Sequence, residues 1–216
     1  SMRHVICLLV LLCFSYGESS WSSDTELGDG GWDTSFDPWL SSSICNLERV
    51  GHLSEDEFNA HYLQQRPVIF ESTQDNSIFK SHTEKEYMLD KFGDVLMMLS
   101  SANTYSYKRD YITFSQYLDE HIEPQDLTTP GDQTFYLFGG NHHILETQLF
   151  PEYKRPPFAN SEEGSISFGV AGSGSGVPLH RHGHVFAEVM YGQKRWFLYP
   201  PEEHPYFDPD ASTLQW

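Results

Sequence analysis

Basic residues are scarce in this chain. Thirteen Lys and Arg stand against 31 Asp and Glu, a formal net charge of -18. Binding to a phosphate backbone requires a basic face, so nucleic acid is not an expected partner. A basic peptide is compatible with this charge, although acidity by itself mainly favours solubility. Long apolar runs are also missing. The longest, Val5 to Phe14, is too short to cross a bilayer as a helix, so no membrane insertion of the mature chain is expected. There is no Asn-x-Ser/Thr acceptor, and cysteine occurs only at Cys7, Cys13 and Cys45.

The start has the grammar of a secretory leader. Met2, Arg3 and His4 precede the apolar run, and Ser15-Tyr16-Gly17 places small residues at the positions that determine cleavage. Residues 1–17 are therefore expected to be a signal peptide that directs the chain to the secretory pathway, with the endoplasmic reticulum lumen as the expected compartment. Cys7 and Cys13 would leave with it. Cys45 would remain as an odd cysteine in an oxidising compartment, which implies a partner elsewhere or a free thiol. Residues 18–44 hold six acids, no Lys or Arg, and scattered Trp21, Trp32, Phe36 and Trp39. That composition predicts an acidic, mostly disordered leader whose tryptophans dock on the domain or on a partner.

The folded part is expected from Cys45 onward. Fifteen Phe, twelve Tyr and five Trp favour a β-rich, aromatic-packed core. Ser54 with Glu57, Thr83 with Glu86 and Thr113 with Gln116 each have the spacing of a capping box and open predicted helices. Arg66–Phe70, Asp94–Ser100 and Thr134–Phe138 read as strands. A short helix is expected at Ile144–Leu149. Apolar runs at Ser165–Ala171, Val177–Val189 and Arg195–Tyr199 follow. Helices early and strands late make an α+β order, and short strands between Gly and Pro turns favour a jelly roll.

The segment from Gly174 to Pro201 carries the chemistry. His180 and His182, two apart, project from one face of a strand and can place two imidazoles on one metal ion. His184 would join them if the strand stayed regular, but Gly183 marks a bulge position. Lys194, Trp196 and Leu198 share a face by the same period, so the lysine is buried-leaning and needs an anionic partner.

This run resembles the central motif of the jumonji-C family: a Gly-rich strand, Pro178-Leu179-His180, then Gly192-x-Lys194-Arg195-Trp196 and Pro200-Pro201. Arg66-Pro67-Val68-Ile69 and the Thr113–Ile122 helix resemble its N-terminal half. The resemblance implies a double-stranded β-helix of cupin type with N-terminal helices. It also implies Fe(II) and 2-oxoglutarate as cofactors in active members, which hold iron by His-x-Asp/Glu plus a distal histidine. On that pattern His180 matches the first histidine, Lys194 the lysine that grips the 2-oxoglutarate carboxylate, and Tyr136 a cosubstrate tyrosine.

The departures shape the functional expectation. His182 stands where the family has Asp or Glu, and Val177 stands where active relatives often carry a hydroxyl. No strand-borne distal histidine follows; His204 sits in a Pro-rich turn. A second comparison, with cupins of the Gly-x5-His-x-His type, fits Gly174, His180 and His182. Glu188 falls one residue late for their glutamate, which reverses its face unless a bulge at Gly183 restores it. A jelly roll has eight strands, and strands about ten residues apart would leave roughly three beyond His180. The barrel in residues 45–216 is thus expected to be partial, incomplete at the C-terminus.

The expected function is a lumenal jumonji-C-like domain with a degraded metal site, acting through protein partners of unknown identity. No catalytic residue is assigned and no cofactor is expected outright. The alternatives are an Fe(II)/2-oxoglutarate-dependent protein hydroxylase completed by residues beyond Trp216, and a cupin-type metal-binding protein using His180 and His182.

Overall fold

A computed structural model of the chain describes residues 5–10, 28–35, 45–71, 74–139, 143–159 and 165–215. The strongest local signals in the sequence form the helices expected of them. Ser54 caps α1 (Glu55–His61) as a capping box, its hydroxyl accepting from the Glu57 N–H while the Glu57 carboxylate accepts from the Ser54 N–H. Thr113 and Gln116 do the same for α4 (Phe114–Glu120). Each box satisfies two donors that a helix start leaves without intrahelical partners.

The Thr83–Glu86 box does not form. Thr83 instead closes a helix not anticipated from the sequence, α2 (Ser77–His82), and its hydroxyl donates to the Lys80 carbonyl at 2.8 Å. Its side chain is thereby committed to the helix behind it. The next helix, α3 (Lys85–Phe92), starts at Glu84 without a side-chain cap. A final short helix, α5 (His143–Gln148), lies where the apolar spacing placed it.

Nine strands form three sheets among the described residues. Glu48–Val50 (β2) and Val68–Phe70 (β3) pair in parallel. Leu96–Ser101 (β4), Arg109–Thr113 (β5), Phe135–Gly139 (β6) and Phe168–Val170 (β7) build an antiparallel sheet in the order β5-β4-β6-β7. Gly176–His182 (β8) and Trp196–Tyr199 (β9) do not pair with each other. Val5–Val10 (β1) lies between them, antiparallel to both. The run Val177–Val189 therefore does not continue as one strand; β8 stops at His182, before Gly183, and a loop leads to β9. The two larger sheets are open, so the fold is mixed helix and sheet.

The core lies on one face of the four-stranded sheet. Met97, Leu99 and Leu137 point there with no solvent exposure and meet Met88, Phe92, Phe114, Tyr117 and Leu145 from the helices. The buried Tyr117 hydroxyl donates to the Val170 carbonyl at 2.6 Å, which ties α4 to β7 and leaves no buried donor unpaired there.

The expected leader over residues 18–44 is described only at 28–35. There it departs from disorder: the Trp32 indole packs against the core and donates to the Thr83 carbonyl at 2.9 Å. Apolar contacts of the Trp32 ring, its indole hydrogen bond and the Gly30 carbonyl bond to the Lys85 N–H hold this segment on the domain. The remainder, 18–27 and 36–44, lies outside the described residues. Of the expected signal segment, 1–4 and 11–17 lie outside them too, and 5–10 is β1.

Candidate functional site

The site is built on the face of the four-stranded sheet that turns away from the helices. Tyr136 and Phe138, two apart on β6, project there and stack with ring centroids 6.0 Å apart. Tyr136 is buried, which pushes its hydroxyl pKa upward against the opposing hydrogen bond from Ser106. Lys194, in the loop that enters β9, meets Phe138 of this pair. Its Nζ lies 5.9 Å from the Phe138 centroid and 4.7 Å from that of Trp196. Two partly exposed ring faces attract the ammonium by cation–π interaction. Tyr136 and Lys194, singled out separately in the sequence, thus converge on Phe138.

The register of β1 places the histidines relative to this group. Cys7 stands opposite His180 on one side and Leu198 on the other, while Leu9 stands opposite Val177 and Trp196. Three residues of β8 span two of β1 here, a bulge that turns Val177 and His180 to one face. Val177 packs with Tyr136 and Ala102. Hence the face of the β8-β1-β9 sheet that bears His180, Trp196 and Leu198 is the one turned toward Tyr136. Leu179 and Tyr199 are on the reverse face, packed with Phe207. Two strand spacings separate His180 from Leu198, about 10 Å.

His180 is half-buried. Its Nδ1 lies 3.0 Å from the Pro178 carbonyl, an acceptor that assigns the proton to Nδ1 and leaves the Nε2 lone pair available. Burial is the main cause that lowers its pKa, the Pro178 carbonyl acts the other way, and His182 lowers it further. The His182 ring is 5.8 Å from that of His180 at 65°. The two imidazoles are neighbours, as period two required. His184 is exposed past the strand end.

The third ligand of the cupin alternative is elsewhere. Glu188 accepts from the Tyr153 hydroxyl at 2.7 Å and from the Asn76 amide at 3.1 Å, so its carboxylate clasps the loop after β8 to the helical layer. Burial, together with that carboxylate, drives the Tyr153 pKa far upward. The buried Asn76 completes the clasp by bonding the Lys154 backbone in both directions. His204 receives a hydrogen bond from the Arg181 guanidinium at 3.3 Å on the surface. Among the described residues, no three His, Cys, Asp or Glu side chains converge on one point as metal ligands. Among the described residues the site thus offers two imidazole donors and no carboxylate beside them, which does not fit the ferrous triad of two histidines and a carboxylate.

Sequence reasoning located His180, His182, Lys194 and Tyr136. It missed Phe138, the ring that joins two of them, although Phe138 stands two residues from Tyr136 and shares its face. It also missed Asn76 and Tyr153, whose role depends on contacts distant in sequence.

Comparison with known proteins adds the family context. Over 194 residues the chain is 43% identical to JmjC domain-containing protein 8 of Rattus norvegicus, an alignment covering 88% of this chain and 72% of the relative. The mouse and human proteins of the same name match at 42% and 43% identity, with the same coverage. No family model matches the chain.

Proposed function

The chain belongs to the JmjC domain-containing protein family, and from that premise we propose that it is a jumonji-C-like domain of the secretory lumen whose metal site is degraded and which acts by binding other proteins. The cupin-type double-stranded β-helix belongs to this reading, supported by two open antiparallel sheets that face each other across Val177 and Tyr136. The secretory assignment rests on the basic-then-apolar start and Ser15-Tyr16-Gly17.

One observation carries the loss of function. On the family pattern His182 stands where an acidic ligand is expected beside His180, and its ring centroid lies 5.8 Å from that of His180. An imidazole supplies no negative charge to hold Fe(II) in an oxygen-activating state. Glu188, the acid of the cupin alternative, is engaged by Tyr153 and Asn76.

The hydroxylase reading is retained for one reason, the meeting of Lys194 and Tyr136 at Phe138. A lysine and a phenol hydroxyl form a donor pair suited to a dicarboxylate such as 2-oxoglutarate. The test is direct. The full-length protein, including residues beyond Trp216, is given Fe(II), 2-oxoglutarate and candidate lumenal peptides, and succinate is measured. No succinate above the His180→Ala background supports the interaction reading. Turnover abolished by His180→Ala overturns it. Metal uptake without 2-oxoglutarate binding favours the cupin-type metal protein.

A further inference from the structure

The acidic leader contains a preformed turn that fits a receptor on the domain. Asp29 Oδ1 accepts from the Gly31 N–H at 2.8 Å, and the Asp29 carbonyl accepts from the Trp32 N–H at 3.2 Å. Asp33 Oδ1 accepts from the Ser35 N–H at 2.9 Å. Gly30 and Gly31 have φ of 66° and 77°, left-handed values that side chains disfavour. Asp-Gly-Gly-Trp-Asp is thus a self-bonded turn that presents one carbonyl and one indole outward.

The receptor is the junction of α2 and α3. The Gly30 carbonyl accepts from the Lys85 N–H at 2.8 Å, capping the first residue of α3, which has no side-chain cap of its own. The Trp32 indole N–H donates to the Thr83 carbonyl at 2.9 Å, at the end of α2. One wall is Tyr191: its ring lies where a Cβ on Gly30 would come within 2.6 Å. That tyrosine is held by its own bond to the Lys80 carbonyl at 3.2 Å and by the Lys80 ammonium 5.0 Å from its ring. Gly192 follows at φ 75°, with the Thr34 methyl 3.9 Å from where its Cβ would stand.

We propose that residues 28–35 are an intramolecular strap that locks the Tyr191-Gly192 turn and thereby sets the position of Lys194. The loop from Gly183 to Arg195 joins the histidine strand to the lysine. Glu188 anchors its first half; the strap anchors its second half, two residues before Lys194. Trp32 is a positioning residue: it pins the strap to the Thr83 carbonyl, and the strap meets the turn at Gly30 against Tyr191 and at Thr34 against Gly192. The occupant is chemically defined as a turn with an outward backbone carbonyl and an indole N–H, and any lumenal segment of that kind would compete for the same groove. The inference is independent of whether the site binds iron.

The test is hydrogen exchange on the full chain. Trp32→Ala is expected to raise exchange at residues 190–194 by about tenfold or more, the scale of a local opening, while α4 and the first half of the loop keep wild-type rates. Gly30→Ala, which pushes a methyl into Tyr191 and leaves Trp32 in place, is expected to do the same. Adding a peptide of residues 28–35 in excess to the Trp32→Ala chain is expected to restore protection. A uniform rise across α4 and the loop in both variants would make Trp32 an ordinary core residue and overturn the strap. Unchanged exchange at 190–194, or no rescue by the peptide, would overturn it as well.

Discussion

The two larger sheets of this molecule are built in opposite ways. In β5-β4-β6-β7 the strands are near neighbours in sequence, pair directly with one another, and rest on a core in which Leu99, Leu137, Phe114 and Tyr117 have no solvent exposure. Among the described residues, the two C-terminal strands of β8-β1-β9 meet through Val5–Val10, and Leu179 packs with Tyr199 and Phe207. The first sheet contributes Tyr136 and Phe138, the second contributes His180, and the loop that enters its β9 contributes Lys194. The chemistry-bearing residues are thus split between a sheet that holds itself and one whose order is conditional on a strand from the far end of the chain. Closing so long a loop costs more entropy than pairing sequential strands, so this sheet is the one more sensitive to loss of its middle strand.

The largest break in this comparison comes from the amino end. Val5–Val10 serves as the middle strand here and as the apolar core of an expected leader, and one molecule cannot keep both roles after cleavage. Removing residues 1–17 is expected to strip both partner-facing edges of β8 and β9. In hydrogen exchange, the amides of 176–182 and 196–199 should then exchange near intrinsic rates while those of β4 and β6 remain protected. Equal loss in both sheets would mean that the two are one cooperative unit; no loss would mean that β8 and β9 find another partner.

A second break strikes the self-sufficient sheet. Leu137 is fully buried on β6, and Leu137→Ala removes apolar contacts and leaves a cavity, at a cost of roughly 2–5 kcal/mol. The expected result is a lower midpoint for the whole cooperative melt. Leu179→Ala, in the smaller cluster, is expected to loosen β8 with a much smaller shift of that midpoint. Denaturant unfolding followed by circular dichroism distinguishes the two; equal shifts would remove the asymmetry between the sheets.

What the sequence disclosed follows the same divide. Capping boxes at Ser54 and Thr113 were legible because all their bonds close within four residues. The box at Thr83 failed because its hydroxyl had a nearer acceptor, the Lys80 carbonyl. The helix before it, Ser77–His82, offers only Phe79 as a buried side chain, too little for a periodic signal. The edge strand Arg109–Thr113 is exposed along most of its length and shows no alternation. At the site, period two found His180 with His182 and Lys194 with Trp196, because pleating is a property of the backbone. The third-ligand question at Glu188 was decided by Asn76 and Tyr153, which no local pattern brings together.

Glu188 supplies a smaller probe. Glu188→Gln keeps the shape of the side chain and removes the charge that accepts from Tyr153 and Asn76. Hydrogen bonds to a charged acceptor are worth about 1.5–3 kcal/mol each when buried, and this residue is partly exposed, so a loss of about 1 kcal/mol is expected. Exchange should rise at 184–189 and stay unchanged at 190–194, where the strap acts. A rise across the entire loop would show that its two halves move together.

The smallest expected effect is a pH dependence from His180. Burial and its neighbour hold its folded-state pKa below the ordinary imidazole value, so the folded chain binds this proton less readily than the unfolded chain does. Stability from this residue is therefore fully present above the unfolded-state pKa of about 6.5 and declines as pH falls through that value toward the folded-state one. The decline is expected to be confined first to β8, the conditional sheet, because the ring is seated there. Protection factors at 176–182, with the intrinsic pH dependence of amide exchange divided out, should fall on the acid side of the unfolded-state pKa in wild type and fall less in His180→Gln. An identical acid response in the variant would assign the sensitivity to another group, and a response shared by β4 and β6 would place it outside the β8-β1-β9 sheet.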